Sequence, residues 1–201
     1  MSEISPFEEL EKEIEKVRTD FFSESGCKNF LFKKQQKFDC AKQVTNKIPL
    51  DALLSQTVYI DGVTNRVHIV YPMLKLFASP EVFEIISEYI VANFQHIKAT
   101  HNSLEVMLNL DGFTISAAER YKGLIDTFCT KCFNLNTGFS QLVSRFVVYN
   151  APSSIESIGP IVRPFMEENV REKLIIATKK ESDRYNQIFQ NASPVRVSVF
   201  T

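Results

Sequence analysis

Hydrophobic positions along the chain switch between two periods, and each switch predicts an element. Phe7, Leu10, Ile14, Val17 and Phe21 recur at helical spacing between Glu and Lys, which predicts a short amphipathic helix over residues 7–22. A basic stretch follows, with Lys28, Lys33, Lys34, Lys37, Lys42 and Lys47 interleaved with Phe30, Leu31, Phe32 and Phe38. It is expected to form a second helix docked by its aromatics, or a surface that touches anionic headgroups. Pro49 breaks the pattern. Residues 57–60 and 65–71 are then rich in β-branched and aromatic side chains, with Asp61-Gly62 as the turn of a hairpin.

Ser79-Pro80-Glu81 has the chemistry of a helix start, and Val82, Ile86, Tyr89, Ile90, Phe94 and Ile97 form the buried stripe of a helix to about residue 98. Residues 104–110 alternate as a strand, with Leu104, Val106, Leu108 and Leu110 on one face, and Asp111-Gly112 ends it. Ser116 and Glu119 have the spacing of a capping box for a helix whose face is Ala117, Tyr121, Leu124, Ile125, Phe128 and Cys132. Residues 143–149 are almost continuously apolar, as in a strand buried on both faces. Ser153 and Glu156 open another predicted helix, to about residue 170, with Ile155, Ile158, Ile161, Val162, Phe165 and Met166 inward. Residues 173–177 give a further strand. Strand, helix, strand, helix, strand from residue 104 predicts parallel pairing through right-handed crossovers, hence an α/β fold with a mixed, largely parallel sheet. The closing segment VRVSVFT alternates like a strand and is expected to add to a sheet edge, in this chain or on a partner.

From residue 104 to 178 the chain resembles the CRAL-TRIO family of lipid-transfer proteins. The resemblance rests on an ordered set: a strand ending in Asp111-Gly112, a helix of suitable length, and Phe139 where the family carries a Tyr-Pro pair. Tyr149-Asn150-Ala151-Pro152 is similar to the family's apolar-Asn-x-Pro signature. Arg163-Pro164-Phe165-Met166 looks like its Lys-Pro-Phe-Leu, and Glu172-Lys173-Leu174-Ile175 like its Lys-Ile strand opening. The resemblance extends weakly back to residue 57. It implies a sheet forming the floor of a hydrophobic pocket beneath a movable gate helix, here roughly Ser154 to Glu168. Val106, Leu108, Phe146 and Val148 are then the floor, with Phe128 beside them and Ile155, Ile158, Ile161 and Phe165 on the gate. Members that carry phosphoinositides read the headgroup with a carboxylate and a lysine. Those positions fall here on Gln141 and Lys173, so the cation is present and the acid is not.

The domain reading is a short helical, basic-aromatic extension over 1–48, a lipid-binding domain over 49–178 and a tail over 179–201. Composition sets limits on function. A net charge of -1 gives no electrostatic case for nucleic acid. No apolar run reaches the roughly 18 residues of a membrane span, and the acidic N-terminus lacks the pattern of a signal peptide. A soluble, cytoplasmic protein that meets membranes only peripherally and transiently is expected. Cys129 and Cys132 form a CxxC inside a predicted helix, unlike a redox motif at a helix start, and Cys27 and Cys40 lack zinc-knuckle spacing. His68, His96 and His101 have no ligand spacing, and His68 is expected to be packed on its strand. No catalytic or metal constellation emerges, and no cofactor other than a lipid ligand is called for. The alternative to lipid binding is a scaffold that keeps the fold with a filled pocket and acts through a protein partner.

Overall fold

The computed structural model describes residues 6–24, 33–62, 64–134, 138–166, 168–189 and 194–195. Cys27, Lys28, Phe30, Leu31, Phe32 and most of the closing segment (196–201) lie outside the described residues, as do the side chains of Phe7, Lys33, Cys132 and Phe139.

Helix α1 (Pro6–Glu24) has the predicted stripe, with Ile14 and Val17 buried. Helix α2 (Lys33–Lys47) docks through Phe38, Ala41 and Val44, which explains why so polar a sequence holds a helix. Both belong to the same core as the sheet. A further short helix, α3 (Leu50–Thr57), follows Pro49 and was not anticipated; its two buried leucines, Leu53 and Leu54, are too few to show a period.

Strands β1 (Val58–Asp61) and β2 (Arg66–Val70) form the antiparallel hairpin. Helix α4 (Tyr71–Phe77) continues directly from β2. Ser79 sits at the predicted cap but makes no capping bond, and a 3-10 turn (Pro80–Val82) precedes α5 (Phe83–Thr100). After β3 (Leu104–Asn109), the helix starts earlier than the Ser116 capping box suggests. Thr114 is the cap, its hydroxyl accepting from the Ala117 N–H at 3.2 Å. The single predicted helix is two, α6 (Ile115–Arg120) and α7 (Lys122–Asn134), separated at Tyr121. Helix α8 (Phe139–Leu142) leads into β4 (Val143–Tyr149). Val143 and Val147 to Tyr149 of β4 are buried while Ser144 and Arg145 are exposed, so successive residues are covered on both faces only over the last three.

The helix predicted to residue 170 is also interrupted. It is α9 (Ile155–Val162), a 3-10 turn (Arg163–Phe165) and α10 (Glu168–Glu172). Pro160 and Pro164 each remove a backbone donor, and so the helical ladder cannot run unbroken. Strand β5 (Leu174–Ile176) follows, then α11 (Lys179–Phe189) and β6 (Pro194–Val195). Helix α11 occupies the segment that the sequence pattern presents as a tail.

The six strands are ordered β5-β4-β3-β2-β1-β6. β2 through β5 are parallel, and β6 pairs antiparallel with β1, so Pro194 and Val195, where the closing segment begins, add to this chain's own sheet edge. Each of the three parallel crossovers moves one strand in the same direction. A uniform right hand therefore places all three sets of helices on one face, here called the front. The main core forms there. After β5 the chain passes to the back, where Tyr185 and Phe189 of α11 pack on Met107, Val147, Tyr149 and Ala177.

Candidate lipid-binding site

The parallel register assembles the floor in two rows. Val67, Val106, Phe146 and Leu174 are successive partners across four strands, and Ile69, Leu108, Val148 and Ile176 form the next row. All eight face the front. Val106 and Val148 are buried, Leu108 and Phe146 half-buried. The four floor residues read from the sequence are thus brought together, because a period of two puts alternate side chains on one face. Ile69 and Leu174 extend the rows. They were missed as floor residues although the same alternation runs through their strands.

Helix α9 lies against α6 and α7. Ile158 is buried in the main core, and Ile155, Ile161 and Val162 are half-buried against it. Phe128 of α7 joins the same core, edge-on to Phe94 at 5.9 Å. Phe165 is half-buried in the 3-10 turn, with the Lys122 ammonium 5.9 Å from its ring centre. A cation at that distance is attracted to the ring face, tying the end of the α9 segment to the start of α7.

Lys173 stands in the turn before β5 rather than in the strand. Its ammonium donates to the Ser140 carbonyl at 2.6 Å, and its own carbonyl accepts from the Phe146 N–H. Gln141 is exposed in α8, next to Ser140. The two headgroup candidates therefore both lie near where β4 and β5 begin, and Lys173 also binds α8 to that edge.

At the other end of the strands, Asn150 follows β4 with φ 52, a left-handed conformation that Asn tolerates better than most residues. Its amide donates to Asn109 and to Asn186, both at 3.0 Å, and Asn186 donates back at 3.1 Å. The Asn150 N–H donates to the Ser182 hydroxyl at 3.0 Å. The Asn of the apolar-Asn-x-Pro segment thus joins β3, β4 and α11. Asn109 also accepts from the Asp111 N–H, which sets the turn completed by Gly112 at φ +68.

Behind the floor, His68 is fully buried. Its ring stacks on Tyr59 at 4.8 Å and meets Phe189 edge-on at 4.3 Å, and neither ring nitrogen has a hydrogen-bond partner. Burial pushes its pKa down to about 4, with Asp61 opposing the shift and Arg66 adding to it. The packed-histidine expectation holds. Among the described residues no cluster of His, Cys, Asp or Glu is arranged to hold a metal ion, and no helix is long and apolar enough to cross a membrane.

No curated protein matches the sequence. Among solved structures, one titled "Crystal structure of Sfh5" is similar at 13% identity, with a TM-score of 0.44; the match covers 80% of this chain and 65% of that one. The family model for the CRAL/TRIO domain matches residues 63–197, which spans β2 to β6 and includes the floor, α9, Lys173 and α11. The chain belongs to the CRAL/TRIO domain family, a family of lipid binding and lipid transfer.

Proposed function

We propose that this chain binds a lipid through its apolar tail, between the front of the sheet and α9, for transfer or sensing. The observation that carries the reading is the alignment of Val106, Leu108, Phe146 and Val148 on the face whose core also holds Ile158, within a lipid-binding family. The energetics suit such a ligand. A tail of about sixteen methylenes at ~0.8 kcal/mol each is comparable with the about 4–15 kcal/mol cost of association. Acyl burial then offsets most or all of the association cost, and a small number of polar groups adds the remainder while orienting the headgroup. Lys173, with Gln141 beside it, is the proposed headgroup contact, which requires its ammonium to leave or share the Ser140 carbonyl. The role is binding rather than catalysis. Loading requires transient contact with a membrane surface, for which Lys122 and Arg163 supply positive charge beside α9.

A second reading has its own support. Val106 and Val148 are already buried by protein side chains, and Ile175 and Ile176 are exposed on the outer strand β5, where a protein partner has apolar surface to cover.

Native mass spectrometry after incubation with phospholipid vesicles separates the two. The lipid reading predicts a discrete bound mass in the phospholipid or sterol range, lost in Ile158→Asp. Because Ile158 is fully buried, Ile155→Asp at a half-buried position serves as the second variant, with circular dichroism confirming the fold. Undiminished loading in folded variants would remove α9 from the site. A wild-type protein that stays free of lipid supports the scaffold reading.

A further inference from the structure

The two edges of the sheet are finished differently. At one edge β1 is closed by β6, which opens with Pro194. At the other edge β5 is the last strand, with the sequence Leu174-Ile175-Ile176, and among the described residues no strand pairs with its outer side. Natural sheets blunt such edges with a charge or a proline, and this strand carries neither. Its side chains are uncovered as well, with Ile175 38% exposed on the back and Ile176 47% exposed on the front.

The inner hydrogen bonds of β5 fix which of its backbone groups point outward. The Phe146 N–H donates to the Lys173 carbonyl at 3.0 Å, and the Ala177 N–H donates to the Val148 carbonyl at 2.8 Å. Residues 173, 175 and 177 therefore face β4. Backbone groups alternate along a strand, and so Leu174 and Ile176 direct both N–H and C=O away from the sheet.

We propose that two copies of this chain join edge to edge through β5, antiparallel about a twofold axis at Ile175. The register argues for a second copy as the occupant. In an antiparallel pair, opposed hydrogen-bonded residues exchange both of their bonds. With Ile175 opposite its own counterpart, Leu174 of each copy pairs with Ile176 of the other. Every outward N–H and C=O of the strand is then used. The neighbouring registers do not achieve this. One sets Leu174 opposite itself and sends Ile176 to Glu172 at the end of α10; the other sets Ile176 opposite itself and sends Leu174 to Thr178, past the end of β5. In the proposed register Ile175 packs on Ile175 at the back, and Leu174 packs on Ile176 at the front, so the contact is self-complementary on both faces. A strand of three residues gives a small contact, and the dimer belongs to the weak, reversible class. It is independent of the acyl-chain reading and is tested without lipid.

Sedimentation velocity of the intact protein over micromolar to millimolar concentrations tests this first. The wild-type weight-average mass should rise from one chain towards two. Ile175→Lys sets like charges opposite each other on the axis and should hold the protein monomeric. Ile176→Pro removes only an outward N–H, leaving the bonds to β4, and should do the same, with circular dichroism confirming both folds. Ile188→Asp, at an exposed position on α11, should dimerise as wild type does. Mild oxidation of Ile175→Cys supplies the geometric check, because directly opposed residues in this register are close enough for a disulfide. A covalent dimer is expected well above the wild-type background and not with Ile188→Cys. A wild-type protein that stays monomeric at millimolar concentration, undiminished dimerisation of folded Ile175→Lys, or Ile175→Cys crosslinking no better than Ile188→Cys overturns the proposal.

Discussion

The front of the sheet is covered by helices from three successive crossovers, and its core runs from Ile14 in α1 through Val106 and Val148 to Ile158. The back is held by α11 through a smaller aromatic group: His68, Tyr149, Tyr185 and Phe189. On the front, the aromatic pairs such as Phe94–Phe128 lie among the crossover helices, whereas the floor and α9 are mostly aliphatic and the α9 segment holds two prolines. Floor-to-α9 contacts of that kind are nondirectional, which is what the proposed exchange for an acyl chain requires. The back is directional, with stacked rings and the Asn109–Asn150–Asn186 amide group fixing α11 to the strand ends. On the proposed lipid-binding reading, the front opens for the ligand while the back stays fixed.

Acid should break the back before the front. His68 has a folded-state pKa of about 4, below the 6.5 of the free side chain. Above 6.5 the group is neutral in both states and contributes no pH dependence. As pH falls from 6.5 towards 4, the unfolded chain takes up a proton that the folded chain does not, so stability declines through that window. A depression of this size corresponds to roughly 3 kcal/mol lost by pH 4. Denaturant melts across this range should show the decline, and His68→Phe should flatten it. An equal slope in the variant would place the titration elsewhere.

Phe189→Ala removes the ring that meets His68, Tyr149 and Tyr185. At a half-buried position the expected cost is about 2 kcal/mol, below the full-core value, with lipid loading retained. A smaller effect is expected at Asn150. Asn150→Ala loses the amide bonds and retains a strained φ, for about 1–2 kcal/mol, while Asn150→Gly should recover part of that because glycine adopts φ 52 freely. Hydrogen exchange of α11 should rise in both variants, and more in Ala. Equal loosening of α9 would show that the two faces are coupled.

The front was more legible in the sequence than the back, for a physical reason. Strand alternation and the stripes of α1 and α5 are local patterns that depend only on period, and they placed the floor residues on one face. Helix α11 is mostly polar, with Tyr185 and Phe189 only half-buried, and so it lacks a wide apolar stripe. Its start was still readable: Thr178 and Glu181 form a reciprocal capping box, with the Thr178 N–H donating to Glu181 and the Glu181 N–H to the Thr178 hydroxyl. Residues whose neighbours come from distant segments could not be read this way. The Ser140 partner of Lys173 and the Asn186 partner of Asn150 exist only once the chain has folded.

The most direct test of the lipid site is crosslinking with a phosphatidylcholine whose acyl chain carries a photoactivatable group, followed by peptide mapping. Lipid held on the front predicts adducts on residues 104–110, 143–149 and 155–162, and none on α11. Adducts confined to α11 or to the exposed Ile175, or none at all in a protein incubated with vesicles, would contradict it.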